Sequence, residues 1–278
     1  QGIIRAHNVV ITPVTLSQFN LQTLDDWYAT GSDKDYQDFI DVDQVDIKRP
    51  DLYRQIEYKY QESNQILAQE YARTNPSPFG DLDNNFAFDG QDFKVELPFE
   101  CPLFEKLTNA TGGATTNVLA YKSVTRSSND SNELNPYLGA PVLIYGEFSL
   151  DISANQLGFY DEGNNQQGPI NDIWYANVSS TSAGTATAYS LTWGSDIDPF
   201  FLSAVANSLY DTYWSDYITD LYDENRRVVQ VKAILPIGKI IDLDLKNKIL
   251  WNNQKWIINN ADVNITTGET KLELLNDV

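Results

Sequence analysis

The side chains that could do chemistry are few in kind. The chain has one histidine, His7, and one cysteine, Cys101. A Ser-His-Asp or Cys-His arrangement would therefore have to run through His7. No Gly-x-Ser-x-Gly elbow is present, and no Gly-rich phosphate loop follows a strand-like run. A zinc site built from several Cys and His ligands is excluded, as is an internal disulfide framework. His7 reads as a surface or packing residue, and Cys101 as a small buried apolar group.

Carboxylates are the abundant reactive type. Asp33, Asp35, Asp38, Asp41, Asp43 and Asp46 crowd one stretch, and alternating Asp residues on a flexible loop can supply oxygen ligands to calcium. The stretch lacks the glycine and the closing bidentate Glu of the helix-loop-helix calcium pattern, so a solvated acidic face is the plainer reading. Asp81 and Asp83 invite the same comparison. Paired carboxylates could also serve glycoside hydrolysis, but 39 acidic residues offer so many pairs that none stands out. The 16 Tyr and 6 Trp could stack on sugars, although on strands and helices such residues more often build cores and interfaces. No cofactor, metal or catalytic residue is expected.

The elements that must carry these residues differ along the chain. In the first zone, Thr23-Leu-Asp-Asp26 resembles a capping box with Asp in place of Glu, and predicts a short helix. Residues 54–61 alternate, with Ile56, Tyr58 and Tyr60 on one face, as in a half-buried strand. Ser63 is expected to cap a helix with Ile66, Leu67 and Tyr71 on one face, ending before Pro76. Residues 93–97 alternate again, and Pro98 is expected to break that strand. The middle zone is rich in Gly, Ser, Thr and Asn and suits short antiparallel strands joined by long loops.

The last zone reads most clearly. Asp198 and Pro199 look like a cap and first turn. Val205, Leu209, Tyr213, Tyr217 and Leu221 then recur at helical spacing, predicting one long amphipathic helix over about 199–222. A strand over 226–235 follows, then a hairpin around Asn252-Asn253. A second hairpin runs from 263–265 through a turn near Gly268 to 271–275. Tyr213, Trp214 and Tyr217 supply more aromatic surface than one core stripe needs, and are candidate interface residues.

Size and charge set the outer bounds. With 278 residues, 42% of them hydrophobic and 21% charged, the chain can bury a substantial core. Its 19 basic and 39 acidic residues give a formal charge of −20, and the pI is about 4.2. A surface so acidic repels phosphate backbones, which argues against nucleic-acid recognition. No apolar run approaches the roughly 20 residues of a spanning helix, so no membrane insertion is expected. The sequence contains no Met and starts at Gln1, as expected of a processed product or a piece of a longer chain.

Three stretches resemble the tail-hub or baseplate-hub proteins of tailed bacteriophages, especially marine and Bacteroidota-infecting phages. The first is Asp46-Ile-Lys-Arg-Pro-Asp-Leu-Tyr53 continuing through IEYKYQESNQILAQEYARTN to Asn75. The second is Phe79-Gly-Asp-Leu82 with the later DGQDFKVELPFE, ending at Glu100. The third covers 213–277, with YWSDYITDLYDENRRVV and then LDLKNKILWNNQKWIINNADVNITTGETKLELLND. The resemblance spans both end zones and leaves the middle one uncovered.

The resemblance implies a virion structural protein, similar to the tube-like barrels of the spike proteins shared by contractile tails and type VI secretion. Such hubs form a ring, typically trimeric, that closes the distal end of the tail tube and through which DNA passes. The expected fold is α+β and mostly β: an antiparallel, barrel-like sheet with a long amphipathic helix and an inserted β-subdomain. The expected division is residues 1–109 as an N-terminal α+β part, 110–194 as the insertion, and 195–278 as the helix and meander that complete the barrel. Expected partners are further copies of the chain and other tail-tube, baseplate or tip proteins, with DNA only in passage. A carbohydrate-binding or adhesin module remains the alternative, and a tip polysaccharide hydrolase or lyase a third reading.

Overall fold

The computed structural model describes residues 1–108, 115–118, 125–126, 134–135, 139–151, 157–160, 163, 165–170, 172–179, 189–194, 196–197, 204–205 and 207–277. They fall into two units, one of residues 1–3, 55–85 and 92–212, the other of residues 4–54, 86–91 and 213–278. The described structure is mostly β.

The second unit is built on a six-stranded sheet, in the order Asp33–Asp35, Lys248–Trp251, Gln254–Val263, Glu269–Asn276, Val228–Ile234, Ile40–Lys48. Its pairings are antiparallel except for Asp33–Asp35, which runs parallel to Lys248–Trp251. Asn252 and Asn253 have φ of 52° and 59°. Two left-handed central residues make the tight turn whose twist matches the flanking strands, so this hairpin forms where the Asn pair predicts it. Gly268, with φ of 76°, helps close the last hairpin. Val263 ends the long strand there, and Ile265 stands exposed in the turn.

Alternation buries one face of this sheet. Val229, Val231 and Ala233 meet Leu272, Leu274, Ile249 and Ile258 in a single apolar cluster. Tyr36, Phe39, Ile240 and Leu243 close over it, and among the described residues none of the cluster comes from 209–222. The expected barrel is not formed. Among the described residues the sheet ends in two edge strands, Asp33–Asp35 and Ile40–Lys48, and is not closed into a barrel.

The long helix expected over 199–222 is also corrected. Ala204–Val205 is a strand paired with Asp196–Ile197, and among the described residues of this range helix is found at Leu209–Tyr213 and Ser215–Tyr222. Asp198 and Pro199 lie outside the described residues. The helix start is Ser208, whose hydroxyl accepts from Asp211 N at 3.1 Å and donates to the Asp211 carboxylate at 2.8 Å, a reciprocal cap. Trp214 leaves helical geometry at φ −127° and separates the two segments.

In the first unit, Gln55–Gln61 lies between Leu82–Asn85, antiparallel, and Asp92–Glu100, parallel. Ile56, Tyr58 and Tyr60 are buried as the alternation requires. The Tyr58 ring packs on Trp193 and Tyr210, with centroids at 4.9 and 5.4 Å. Pro98 does not break its strand, which continues to Glu100. The pairing shifts register between Lys59 and Gln61 at that level, and an irregularity of this kind tolerates a residue without an N–H.

The helix Ile66–Thr74 starts from Gln65 rather than Ser63. It buries Ala68, whereas Ile66 and Tyr71 are exposed. Gln65 is held by two 2.8 Å bonds to the backbone N and O of Leu103. Ser63 instead donates to the buried Glu100, which also accepts from Ala140 N. In the middle of the chain the described strands form two-stranded pieces, the longest being Gly146–Asp151 with Asp172–Asn177.

Candidate assembly surface

The three candidate interface aromatics lie around the break between the two short helices. Tyr213 packs edge-on against His7, centroids 4.9 Å apart, and its carbonyl accepts from Asn8 Nδ2 at 3.1 Å. Trp214 donates from Nε1 to the Arg5 carbonyl at 3.2 Å. These two are half-buried against the start of the chain, while Tyr217 is exposed. The structure thus brings the three together and leaves Tyr217 as the one that faces solvent. His7 has a packing role, and Cys101 is buried beside Gly80.

The surroundings of Tyr217 are acidic. Burial raises the carboxyl of Asp25 above its ordinary range, and Asp216, Asp220 and Asp26 push it further. Asp220 is raised first by burial and then by Asp216, against the pull of Arg226. Arg226 itself is buried, with Nη1 on the Asn276 carbonyl. Sequence reading did not single it out, because a charged residue at a strand start looks solvated until its partner Asn276, fifty residues on, is known.

The six Asp residues of the 33–46 cluster are all exposed, two on one edge strand and three on the other. Among the described residues no group of three or more His, Cys, Asp or Glu side chains is placed to hold a metal ion. The polar face of the sheet carries a groove of about 530 Å³ in which Asp43, Asp46, Asp262 and Glu273 outnumber Lys232 and Lys271. Glu273 accepts from Gln230 Nε2 at 2.9 Å and Asn259 Nδ2 at 2.6 Å. These bonds hold its carboxyl below the usual range, so the groove stays anionic.

Asp81 carries a strongly perturbed carboxyl in the first unit. It lines a cleft of about 600 Å³ together with Lys59, Tyr60, Lys94 and Glu96. Desolvation raises it to about 6, opposed by the Tyr60 N–H and by Lys59 and Lys94. The Tyr60 N–H reaches its Oδ1 at 2.9 Å. Asp81 therefore acts inside the fold, as a bond acceptor for the central strand.

One surface was missed by the sequence reading. The strands Val9–Pro13 and Phe19–Thr23 form a two-stranded ribbon that, among the described residues, pairs with no other strand. The signal was available, since Val9, Ile11 and Pro13 alternate and Phe19 and Leu21 answer them. Among the described residues no helix is long and apolar enough to cross a membrane.

The chain matches no protein-family model, no curated protein and no solved structure.

Proposed function

We propose that this chain is a structural subunit of a phage tail, part of a ring at the distal end of the tail tube or baseplate through which DNA leaves. The observation that carries the reading is the net anionic groove on the polar face of the six-stranded sheet. A lumen lined by carboxylates repels phosphates and lets DNA slide. The resemblance of stretches within 46–75, 79–100 and 213–277 to tail hubs supports the same reading, and so does the formal charge of −20. Copies of the chain, tail-tube proteins and tip proteins are its partners, and its place is the virion.

The role is structural rather than enzymatic. Tyr213 and Trp214 anchor the start of the chain within one unit, and Tyr217 stands at the rim where a neighbour can touch. Particle imaging of purified protein and of assembled tails tests the reading. A closed ring of three copies at the tube end is expected. A monodisperse single chain that binds glycans and is missing from tails would replace it with the adhesin reading. Time-dependent release of reducing ends from host envelope, lost on replacing one carboxylate pair, would replace it with an enzyme.

A further inference from the structure

We propose that the cleft lined by the helix Ile66–Thr74 and the strands Gln55–Gln61 and Asp92–Glu100 is a binding site for a neutral saccharide. This adds a function to the structural role above and does not depend on the ring, because every lining residue lies within the first unit.

The cleft is built. Its volume of about 600 Å³ lies within the range of small-ligand sites. On the helix, Ala68 and Ala72 line it one turn apart and leave room that larger side chains would fill. Elsewhere on its wall residues 78–81 make a tight turn, closed by Asp81 N donating to the Pro78 carbonyl at 3.3 Å. Gly80 takes φ of 90° in that turn, and a Cβ would sit 2.5 Å from Cys101 Sγ, so the turn needs glycine. It sets Phe79 and Asp81, on either side of that glycine, in the cleft wall.

Charge selects the ligand class. The ionised lining is balanced, Lys59, Arg73 and Lys94 against Glu62, Asp81 and Glu96, in a chain of 19 basic and 39 acidic residues. Each cation is already matched. Lys59 lies 2.9 Å from Glu57, Lys94 2.9 Å from Glu96 and Arg73 2.6 Å from Glu70. An anionic ligand would find no unmatched cation and would meet three carboxylates. An ammonium brought to Asp81 would meet Lys59 and Lys94, whose fields already act on that carboxyl.

What the cleft does offer is hydrogen bonding of both kinds. The Tyr60 N–H occupies Asp81 Oδ1 at 2.9 Å and leaves Oδ2 for a donor. The lysine ammoniums and the side-chain amides of Gln61 and Gln69 supply donors. A sugar hydroxyl donates and accepts at once, so a saccharide uses both without bringing a charge. Half-buried Phe79 adds apolar surface for the C–H face of the sugar ring.

Titration calorimetry and amide NMR on the full chain test this. Glucose, galactose, mannose and N-acetylglucosamine are the neutral probes, and glucuronate, glucosamine and glycine the charged ones. At least one neutral probe is expected to bind, more tightly than any charged one, and to shift the Tyr60 amide that sits against Asp81. Asp81→Asn places an amide N–H where Oδ2 accepts, and should weaken that probe about tenfold at pH 8. Wild type should lose the same factor between pH 8 and 5 as Asp81 takes up its proton, and Asp81→Asn should lose nothing. Lys59, Asp83 and Lys94 act on Asp81 from the three strands, and Glu62, Arg73 and Glu96 share the cleft; the comparison with Asp81→Asn removes their own contributions. As a second variant, Ala72→Trp fills the cleft from an exposed helix position and should abolish binding.

A Tyr60 amide that no neutral probe shifts, an Asp81→Asn protein that binds as wild type does, or tighter binding of a charged probe overturns the proposal. None of these outcomes touches the ring reading, which particle imaging decides separately.

Discussion

Replacing Asp81 by Asn should stabilise the protein at neutral pH and do nothing in acid. In the fold its carboxyl titrates near 6, against an ordinary value of 3.8. Below about pH 4 the group is protonated in both folded and unfolded chains and contributes nothing. Between about pH 4 and 6 the unfolded chain ionises while the folded one holds its proton, so stability falls as pH rises. Above about 6 the cost is complete. The gap between 3.8 and 6 corresponds to roughly 3 kcal/mol. Asp81 is only half-buried, and solvent screening reduces this to about 1–2 kcal/mol.

Asn keeps an oxygen for the Tyr60 N–H and removes the charge, so Asp81→Asn should gain about that amount at pH 8. Urea unfolding of both proteins from pH 4 to 8 gives the difference, and subtraction cancels the other titrating groups, Asp25 and Asp220 among them. The Tyr60 amide shift followed by NMR gives the midpoint directly. Lys59→Gln should move that midpoint further up, since the Lys59 ammonium opposes the shift. A midpoint near 4, or a stability difference that is flat with pH, would refute the assignment of desolvation as the dominant effect.

Gly268→Ala should cost about 3 kcal/mol, because φ is 76° and a Cβ would sit 2.5 Å from the Leu235 carbonyl oxygen; thermal unfolding measures it. Ser208→Ala should cost about 1 kcal/mol by removing the cap of Leu209–Tyr213, read as lower protection of the 209–213 amides in hydrogen exchange. The protein should not retain DNA in a gel-shift assay, and lowering the salt should not rescue binding, because repulsion is then least screened; a shifted band that strengthens at low salt would contradict the anionic-lumen argument.

Local chemistry was legible in the sequence wherever it acts between near neighbours. The Asn252-Asn253 turn needs only two residues that tolerate left-handed backbone. The start of Leu24–Ala29 needs only Thr23, whose hydroxyl accepts from Asp26 N at 3.2 Å. The alternation of Ile56, Tyr58 and Tyr60 needs only a period of two. The pair Ser208 and Asp211 was equally local, but the longer run of helical spacing from Val205 to Leu221 hid it.

What escaped the sequence depends on partners far along the chain. Trp214 leaves the helix while its indole N–H reaches the Arg5 carbonyl, 209 residues away. Pro98 sits inside a strand because its parallel neighbour Gln55–Gln61 shifts register there. Asp81 is read as a solvated acid until Tyr60, 21 residues earlier, places a backbone N–H against it and burial partly desolvates it. Spacing tells which residues share a face, but not what that face meets. The apolar face of Val9–Pro13 and Phe19–Thr23 looks, in sequence, like any core strand pair, and only the tertiary structure shows Ile11, Phe19 and Leu21 exposed on it.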